Sequence, residues 1–123
     1  EISACLVGSE MCIRDRKYRY AIEQLSAVTG RAFTTLHVLG GGTKDRLLCQ
    51  MTADCCGLTV KAGPVEATAL GNIMIQLKAL GLLDSITQGR RLIAETEVIK
   101  TYTPSTQNYA EWNAAYDRFE PLL

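Results

Sequence analysis

The chain has 123 residues, of which 47% are hydrophobic and 21% charged, and thirteen basic side chains balance thirteen acidic ones. This is the size and composition of one folded domain with a moderate core. A neutral chain without a basic stripe argues against a nucleic acid as partner. No run approaches the ~20 apolar residues that span a bilayer, so we expect no membrane association and a cytoplasmic location.

Residues 1–16 differ from the rest of the chain because they show no sustained helical or strand periodicity. The run Cys5–Arg16 resembles the translated remnant of a sequencing adapter. We therefore predict that residues 1–16 are a non-native, unstructured lead and that the native domain covers residues 17–123. A genuine short strand over residues 2–7 is the alternative.

An amphipathic helix and a buried strand are expected next. Apolar residues recur at three- and four-residue steps over residues 18–28, and a glycine follows them. The run 34–39 is apolar and partly β-branched, which indicates a buried strand. Gly40, Gly41 and Gly42 stop this strand, and a helix begins within a few residues.

The three glycines suit a ligand such as a nucleotide. Glycine permits positive φ, and without a Cβ it lets a flat ligand approach the main chain. Two known phosphate-binding patterns are excluded, since Lys44 is misplaced for a Walker A motif and no third glycine completes Gly-x-Gly-x-x-Gly. A tight turn without a ligand explains the local sequence equally well.

Thr43 is the expected N-cap of the helix after the glycines, with Asp45 in its first turn. Gly57 ends this helix. Its predicted buried face consists of Leu47, Leu48, Met51 and Cys55.

The second half of the chain predicts a strand over residues 58–60 and a helix that starts at Pro64, with Glu66 in its first turn. Packing residues of that helix are Leu70, Ile73, Met74, Leu77 and Leu80. A helix over residues 85–94 with Ile86, Gly89, Leu92 and Ile93 inward, a strand over residues 98–102 and a last helix follow. The last helix has an aromatic face that we interpret as a docking surface rather than a cofactor site: Tyr109, Trp112, Asn113, Tyr116 and Phe119.

The resulting order is α-β-α-β-α-α-β-α. Apolar strands of this kind expect helices on both faces of a larger sheet, so the chain is interpreted as part of a bigger domain. The five cysteines form no Cys-x-x-Cys pair and there is a single histidine. We therefore expect reduced thiols and no metal site.

Three stretches together resemble the C-terminal region of the FGGY carbohydrate kinases, and the resemblance covers about residues 17–119. The stretches are Leu36–Gly42, Leu47–Asp54 and Ala62–Asn72, of which the last, AGPVEATALGN, is specific. Within the family, the chain is most similar to the kinases that act on L-rhamnulose. The resemblance implies an α/β fold that is part of an actin-like (RNase H-like) ATPase domain, namely the C-terminal portion of the second kinase domain.

The resemblance also implies ligands. In this family two domains close on ATP, magnesium and a sugar, and a glycine loop of the second domain binds adenosine. Gly40, Gly41 and Gly42 would then line the adenine and ribose of ATP, while the phosphates lie mainly against the other domain. The N-terminal kinase domain would be the natural packing partner of this chain.

No catalytic residue is assigned in this chain. The catalytic aspartate of the family lies in an earlier segment, and the aspartates here have no Asp-x-Gly setting and no histidine neighbour. We therefore expect a fragment of a kinase that converts ATP and L-rhamnulose to L-rhamnulose 1-phosphate, inactive by itself. The alternatives are a free-standing nucleotide- or partner-binding module and a kinase for a different sugar.

Overall fold

The computed structural model describes residues 10–122. Its helices are α1 (Glu10–Thr29), α2 (Arg46–Cys56), α3 (Ala67–Ala79), α4 (Ile86–Thr96) and α5 (Tyr109–Phe119), and its strands are β1 (Thr35–Val38), β2 (Thr59–Ala62) and β3 (Lys100–Tyr102). In these residues the order of helices and strands is the predicted one, and the fold is α/β. No helix between residues 10 and 122 is both long and apolar enough to cross a membrane.

Helix α1 begins at Glu10, earlier than the predicted start at Lys17. Residues 10–16 are helical, so the prediction of an unstructured lead is wrong for them. The non-native origin of the lead stays a prediction. The alternative strand over residues 2–7 lies outside the described residues.

Tertiary contacts explain why the start of α1 is helical. The Asp15 carboxylate is fully buried and accepts a hydrogen bond of 2.7 Å from the Thr52 hydroxyl in α2. The guanidinium of Arg16 lies 5.4 Å from the centroid of the Phe119 ring in α5. These partners are distant in sequence, and a periodicity pattern in residues 10–16 cannot reveal them.

The sheet is small and mixed. Strand β1 pairs in parallel with β2, with Leu36 opposite Val60, and β3 pairs antiparallel with β2, with Tyr102 opposite Val60. The strand order is β1-β2-β3, so β1 and β3 are the edge strands among the described residues. Edge strands carry backbone groups that are free to pair with another strand.

Helix α2 is the centre of the core. On one side Cys49 and Ala53 pack against Val60 and Ala62 of β2. Elsewhere Met51 and Cys55 pack with Trp112 of α5. The expected buried face is therefore confirmed for Leu48, Met51 and Cys55 but wrong for Leu47, which is 58% exposed. Because α2 has partners on more than one side, its buried surface extends beyond a single stripe.

Helices α3 and α4 pack against each other, and most of their residues are exposed or half-buried. Gly89 of α4 is buried, as predicted, and an added Cβ there would lie 2.5 Å from the Met74 sulfur of α3. None of the residues of α3 is buried, and Leu80 is 73% exposed. In the predicted packing face of α3, Leu70, Met74 and Leu77 are half-buried, whereas Ile73 and Leu80 are exposed. Leu92, predicted inward, is exposed in α4.

Helix α5 packs its aromatic face inward, with Trp112, Tyr116 and Phe119 buried and Tyr109 exposed. The Tyr116 hydroxyl donates a hydrogen bond of 2.6 Å to the Glu23 carboxylate in α1. Arg19, also in α1, lies 4.1 Å from the centroid of the Tyr116 ring and donates to the Asn113 side chain at 2.7 Å. The aromatic face therefore docks α5 within this chain.

Candidate functional site

The three glycines form a turn between β1 and α2. After β1 the chain passes through Gly40 into a short 3-10 helix, Gly41–Lys44, and α2 begins at Arg46. We call residues 40–44 the glycine turn. The helix cap is Asp45, whose carboxylate accepts a hydrogen bond of 3.0 Å from the Leu48 amide. The prediction that Thr43 caps α2 is wrong, because Thr43 lies inside the 3-10 helix, two residues before the cap.

Only one of the three glycines is required by backbone conformation. Gly40 has φ 85° and ψ −162°, a conformation that favours glycine. Gly41 and Gly42 are exposed and are absent from the positive-φ glycines of the chain. A Cβ built at either position meets no atom within 4 Å. The surface above Gly41 and Gly42 is therefore open to a ligand.

The glycine turn is anchored to the loop between β2 and α3. The Gly40 amide donates to the Pro64 carbonyl at 3.2 Å, and the Gly63 amide donates to the Val38 carbonyl at 2.9 Å. Pro64 was the predicted first residue of the next helix, but α3 begins at Ala67. The correction has a physical reason, since residues 63–64 are buried and are held by the end of β1 instead of by a helical turn.

Replacing Gly63 with alanine is expected to destabilise this anchor. A Cβ at Gly63 would lie 2.8 Å from the Val98 carbonyl oxygen, and φ there is 130°. Strain of this kind costs about 1–3 kcal/mol. Urea unfolding followed by circular dichroism measures the loss. The matched control is Gly71→Ala in α3, where a Cβ meets nothing within 4 Å; it should stabilise the chain by about 0.5–1 kcal/mol. Equal effects of the two variants would contradict the prediction.

A cleft of about 480 Å³ lies beside the glycine turn. Helix α1, strand β1 and helix α2 form its walls, and its lining includes Tyr18, Ile22, Leu36, Val38, Gly42 and Leu48. Its lining residues are mainly apolar, and the polar ones include Arg14, His37 and Thr52. A cavity of this size and character is typical of a small-molecule site or of a surface that another segment covers.

The thiols of the cysteines near this region have raised pKa values. Cys49, Cys55 and Cys56 are all free. Burial raises the pKa of each thiol, to about 12 for Cys56. A protonated thiol is neither a nucleophile nor a good metal ligand at neutral pH. Among residues 10–122, no group of three or more His, Cys, Asp or Glu side chains could hold a metal ion.

Two buried aspartates of α1 and α2 have structural partners. Asp54 accepts hydrogen bonds from the Gln50 side chain at 2.9 Å and from the Ser105 amide at 2.8 Å, which fixes the segment after β3. Asp15 accepts from Thr52. Neither carboxylate lines the cleft or touches the glycine turn, so neither is assigned a catalytic role here.

The family model for the C-terminal domain of the FGGY family of carbohydrate kinases matches residues 16–80. This segment runs from α1 through α3 and contains the glycine turn. The chain belongs to the FGGY family of carbohydrate kinases. The resemblance seen in the sequence is thereby confirmed, and membership of this family implies an actin-like ATPase fold.

Within the FGGY family, the chain is similar to several curated rhamnulokinases. The chain is 45% identical over 104 residues to a rhamnulokinase of Bacteroides thetaiotaomicron. The aligned residues cover 85% of this chain and 21% of the relative. It is 37% identical over 119 residues to a rhamnulokinase of an Enterobacter species. That alignment covers 96% of this chain and 24% of the relative. A rhamnulokinase of Klebsiella pneumoniae is 37% identical over 105 residues, which are 85% of this chain and 21% of the relative. The chain thus spans less than a quarter of the length of these relatives.

Proposed function

We propose that this chain supplies the adenosine-binding side of the ATP site in a carbohydrate kinase of the rhamnulokinase type. The whole enzyme transfers the γ-phosphoryl group of ATP to L-rhamnulose and forms L-rhamnulose 1-phosphate. The similarity to three rhamnulokinases supports the choice of sugar. Phosphoryl transfer depends on positioning of the two substrates, and this chain positions the nucleotide.

Gly41 and Gly42 carry this proposal. A glycine in a helical turn is less stable than alanine by roughly 0.5–1 kcal/mol. Within the glycine turn, these two glycines have an ordinary φ, and a Cβ at either position would touch nothing. A ligand that lies flat against the backbone explains why both positions are glycine, because a Cβ would occupy the space of the ligand. An adenine ring with its ribose has the required flat shape.

The described residues fit the nucleoside end of ATP better than its phosphate and metal end. Open backbone at Gly41 and Gly42 lies next to the apolar cleft that Gly42 lines. The described residues offer no group of three acidic, His or Cys side chains for magnesium. We therefore assign the phosphates and magnesium, which stabilises charge on the transferring phosphoryl group when bound, to the rest of the enzyme.

The rest of the kinase is also the proposed packing partner of this chain, and the N-terminal kinase domain is part of it. Strand β1 has a free edge among the described residues, and the cleft runs along residues 36–39 of that edge. Helix α3 and its C-cap residue expose large apolar side chains that another part of the enzyme would cover, namely Ile73, Ile75 and Leu80. Burial of such surfaces is the main favourable contribution to domain packing.

The first test is titration of the 15N-labelled 123-residue chain with adenosine and with ATP. We expect both ligands to shift the backbone amide resonances of Gly40, Gly41 and Gly42. The variant Gly41→Val should bind about tenfold more weakly or worse, a loss of about 1.4 kcal/mol, because its side chain occupies the space of the base. Its melting temperature should change little, since a Cβ at position 41 meets no neighbour.

The matched control for this test is Gly71→Val. Gly71 also has open space around a Cβ, but it lies in α3. It should bind the nucleotide like the wild-type chain. Equal affinity of Gly41→Val and Gly71→Val, or the absence of any shift in the wild-type chain, would contradict the proposed function.

A further inference from the structure

Thr43 is the one buried residue inside an otherwise accessible turn. It is 5% exposed, whereas Gly41, Gly42 and Lys44 around it are exposed. Its hydroxyl donates a hydrogen bond of 2.7 Å to the Gly40 carbonyl, and its own amide donates to the same oxygen at 3.1 Å. Thr43 therefore closes the glycine turn on itself with two hydrogen bonds to one acceptor.

A run of three glycines needs such a restraint. Glycine loses more backbone entropy on ordering than any other residue, so an unrestrained run samples many conformations. Apart from those of Thr43, the contacts that hold the glycines include the Gly40 amide on the Pro64 carbonyl and the Asp45 amide on the Gly42 carbonyl, both at 3.2 Å. The Cys49 thiol makes a weaker contact with the Gly42 carbonyl at 3.8 Å. The hydroxyl of Thr43 makes the shortest of these side-chain contacts.

We infer that Thr43 is the positioning residue of the glycine turn, and this inference rests on the proposed function. Its hydroxyl fixes the Gly40 carbonyl and thereby keeps the Gly41 and Gly42 backbone in the shape that receives adenosine. The side chain is buried and bonded to Gly40, so it acts through the turn and does not touch the nucleotide itself. Affinity for the nucleoside should accordingly depend on a hydroxyl that makes no contact with it.

The test compares Thr43→Val with Thr43→Ser. Valine keeps the β-branched shape and removes the hydroxyl, whereas serine keeps the hydroxyl and removes the methyl group. We expect Thr43→Val to bind adenosine about 3- to 10-fold more weakly, which is the loss that one net hydrogen bond produces. Thr43→Ser should bind like the wild-type chain. In the ligand-free Thr43→Val chain, the amides of Gly41 and Gly42 should broaden or exchange faster with solvent.

A matched control separates positioning from general stability. Thr52→Val removes another buried hydroxyl, which bonds Asp15 at 2.7 Å and the Leu48 carbonyl at 2.9 Å. It should lower the melting temperature and leave the glycine amides of the ligand-free chain unchanged. The inference is overturned if Thr43→Val leaves both affinity and glycine amides unchanged, or if Thr43→Ser fails to restore them.

The failure of the proposed function has a different signature. If the wild-type chain binds neither adenosine nor ATP, the proposed function fails, and the ligand-free spectra alone then decide whether Thr43 orders the turn. Sharper or unchanged glycine amides in Thr43→Val would overturn the inference in that case. Broadened amides in Thr43→Val, with normal amides in Thr43→Ser, would support its ordering role.

Discussion

Replacing Trp112 with alanine is expected to lower the free energy of unfolding by about 3–5 kcal/mol. The indole is buried, with 2% of its surface exposed, and it packs with Met51 and Cys55 of α2. Truncation leaves a cavity between α5 and α2. The indole N–H has no hydrogen-bond partner among the described residues, which places the expected loss near the lower end of the range. A loss of this size is a large share of the stability of a small domain.

Urea unfolding followed by far-ultraviolet circular dichroism measures this effect, since the variant lacks the single tryptophan of the chain. The control is Tyr109→Ala, which truncates an aromatic side chain of the same helix that is 56% exposed. It should cost no more than about 0.5 kcal/mol. Similar losses for the two variants would mean that α5 does not dock through Trp112.

Stability of the chain is expected to fall as pH rises from about 4 to 7, because of Asp15. Burial raises the pKa of this carboxyl from 3.8 to about 6, although the Thr52 hydrogen bond and the charges of Arg14 and Arg16 favour its ionised form. Its second oxygen has no partner among the described residues, and the nearby Asp45 adds repulsion. The folded state therefore holds this proton more tightly than the unfolded state does.

Proton linkage gives the direction and size of the change in the free energy of unfolding with pH. The stabilisation by protonated Asp15 is fully present below pH 3.8 and is lost as pH rises through about 6. A shift of this size corresponds to about 3 kcal/mol. Asp15→Asn cannot ionise, so its stability relative to the wild-type chain should rise by that amount between pH 3.5 and pH 7. Urea unfolding of both proteins across this range is the measurement, and parallel stability curves would contradict the prediction.

Local sequence patterns were sufficient for the order of the elements. Gly57 has φ 65° and ends α2, and Gly30, also with φ 65°, follows the end of α1. Ser85 caps α4 by accepting a hydrogen bond from the Gln88 amide. Each of these signals acts within a few residues of the chain, which is why sequence alone reveals it.

Burial was harder to predict than the order of elements. Leu47 and Leu80 have the same apolar character as Leu48, yet they are exposed at 58% and 73% while Leu48 is buried. The difference depends on which helix or strand lies opposite each face, and this is a property of the assembled domain. The early start of α1 has the same cause, since Asp15 meets Thr52 across 37 positions of sequence.

Some features of the candidate site could also be predicted from the sequence, and others could not. The position of Gly40, Gly41 and Gly42 between a strand and a helix could be predicted from the sequence, because glycine runs interrupt periodic segments locally. The folded chain is needed to see that Gly40 alone of the three has a positive φ, that the Thr43 hydroxyl bonds the Gly40 carbonyl and that the Gly40 amide bonds Pro64. The hydrogen bond between Gly40 and Pro64 forms only when the loop after β2 reaches the end of β1. The bond from Thr43 to Gly40 spans three residues, but the glycine pattern alone does not reveal it.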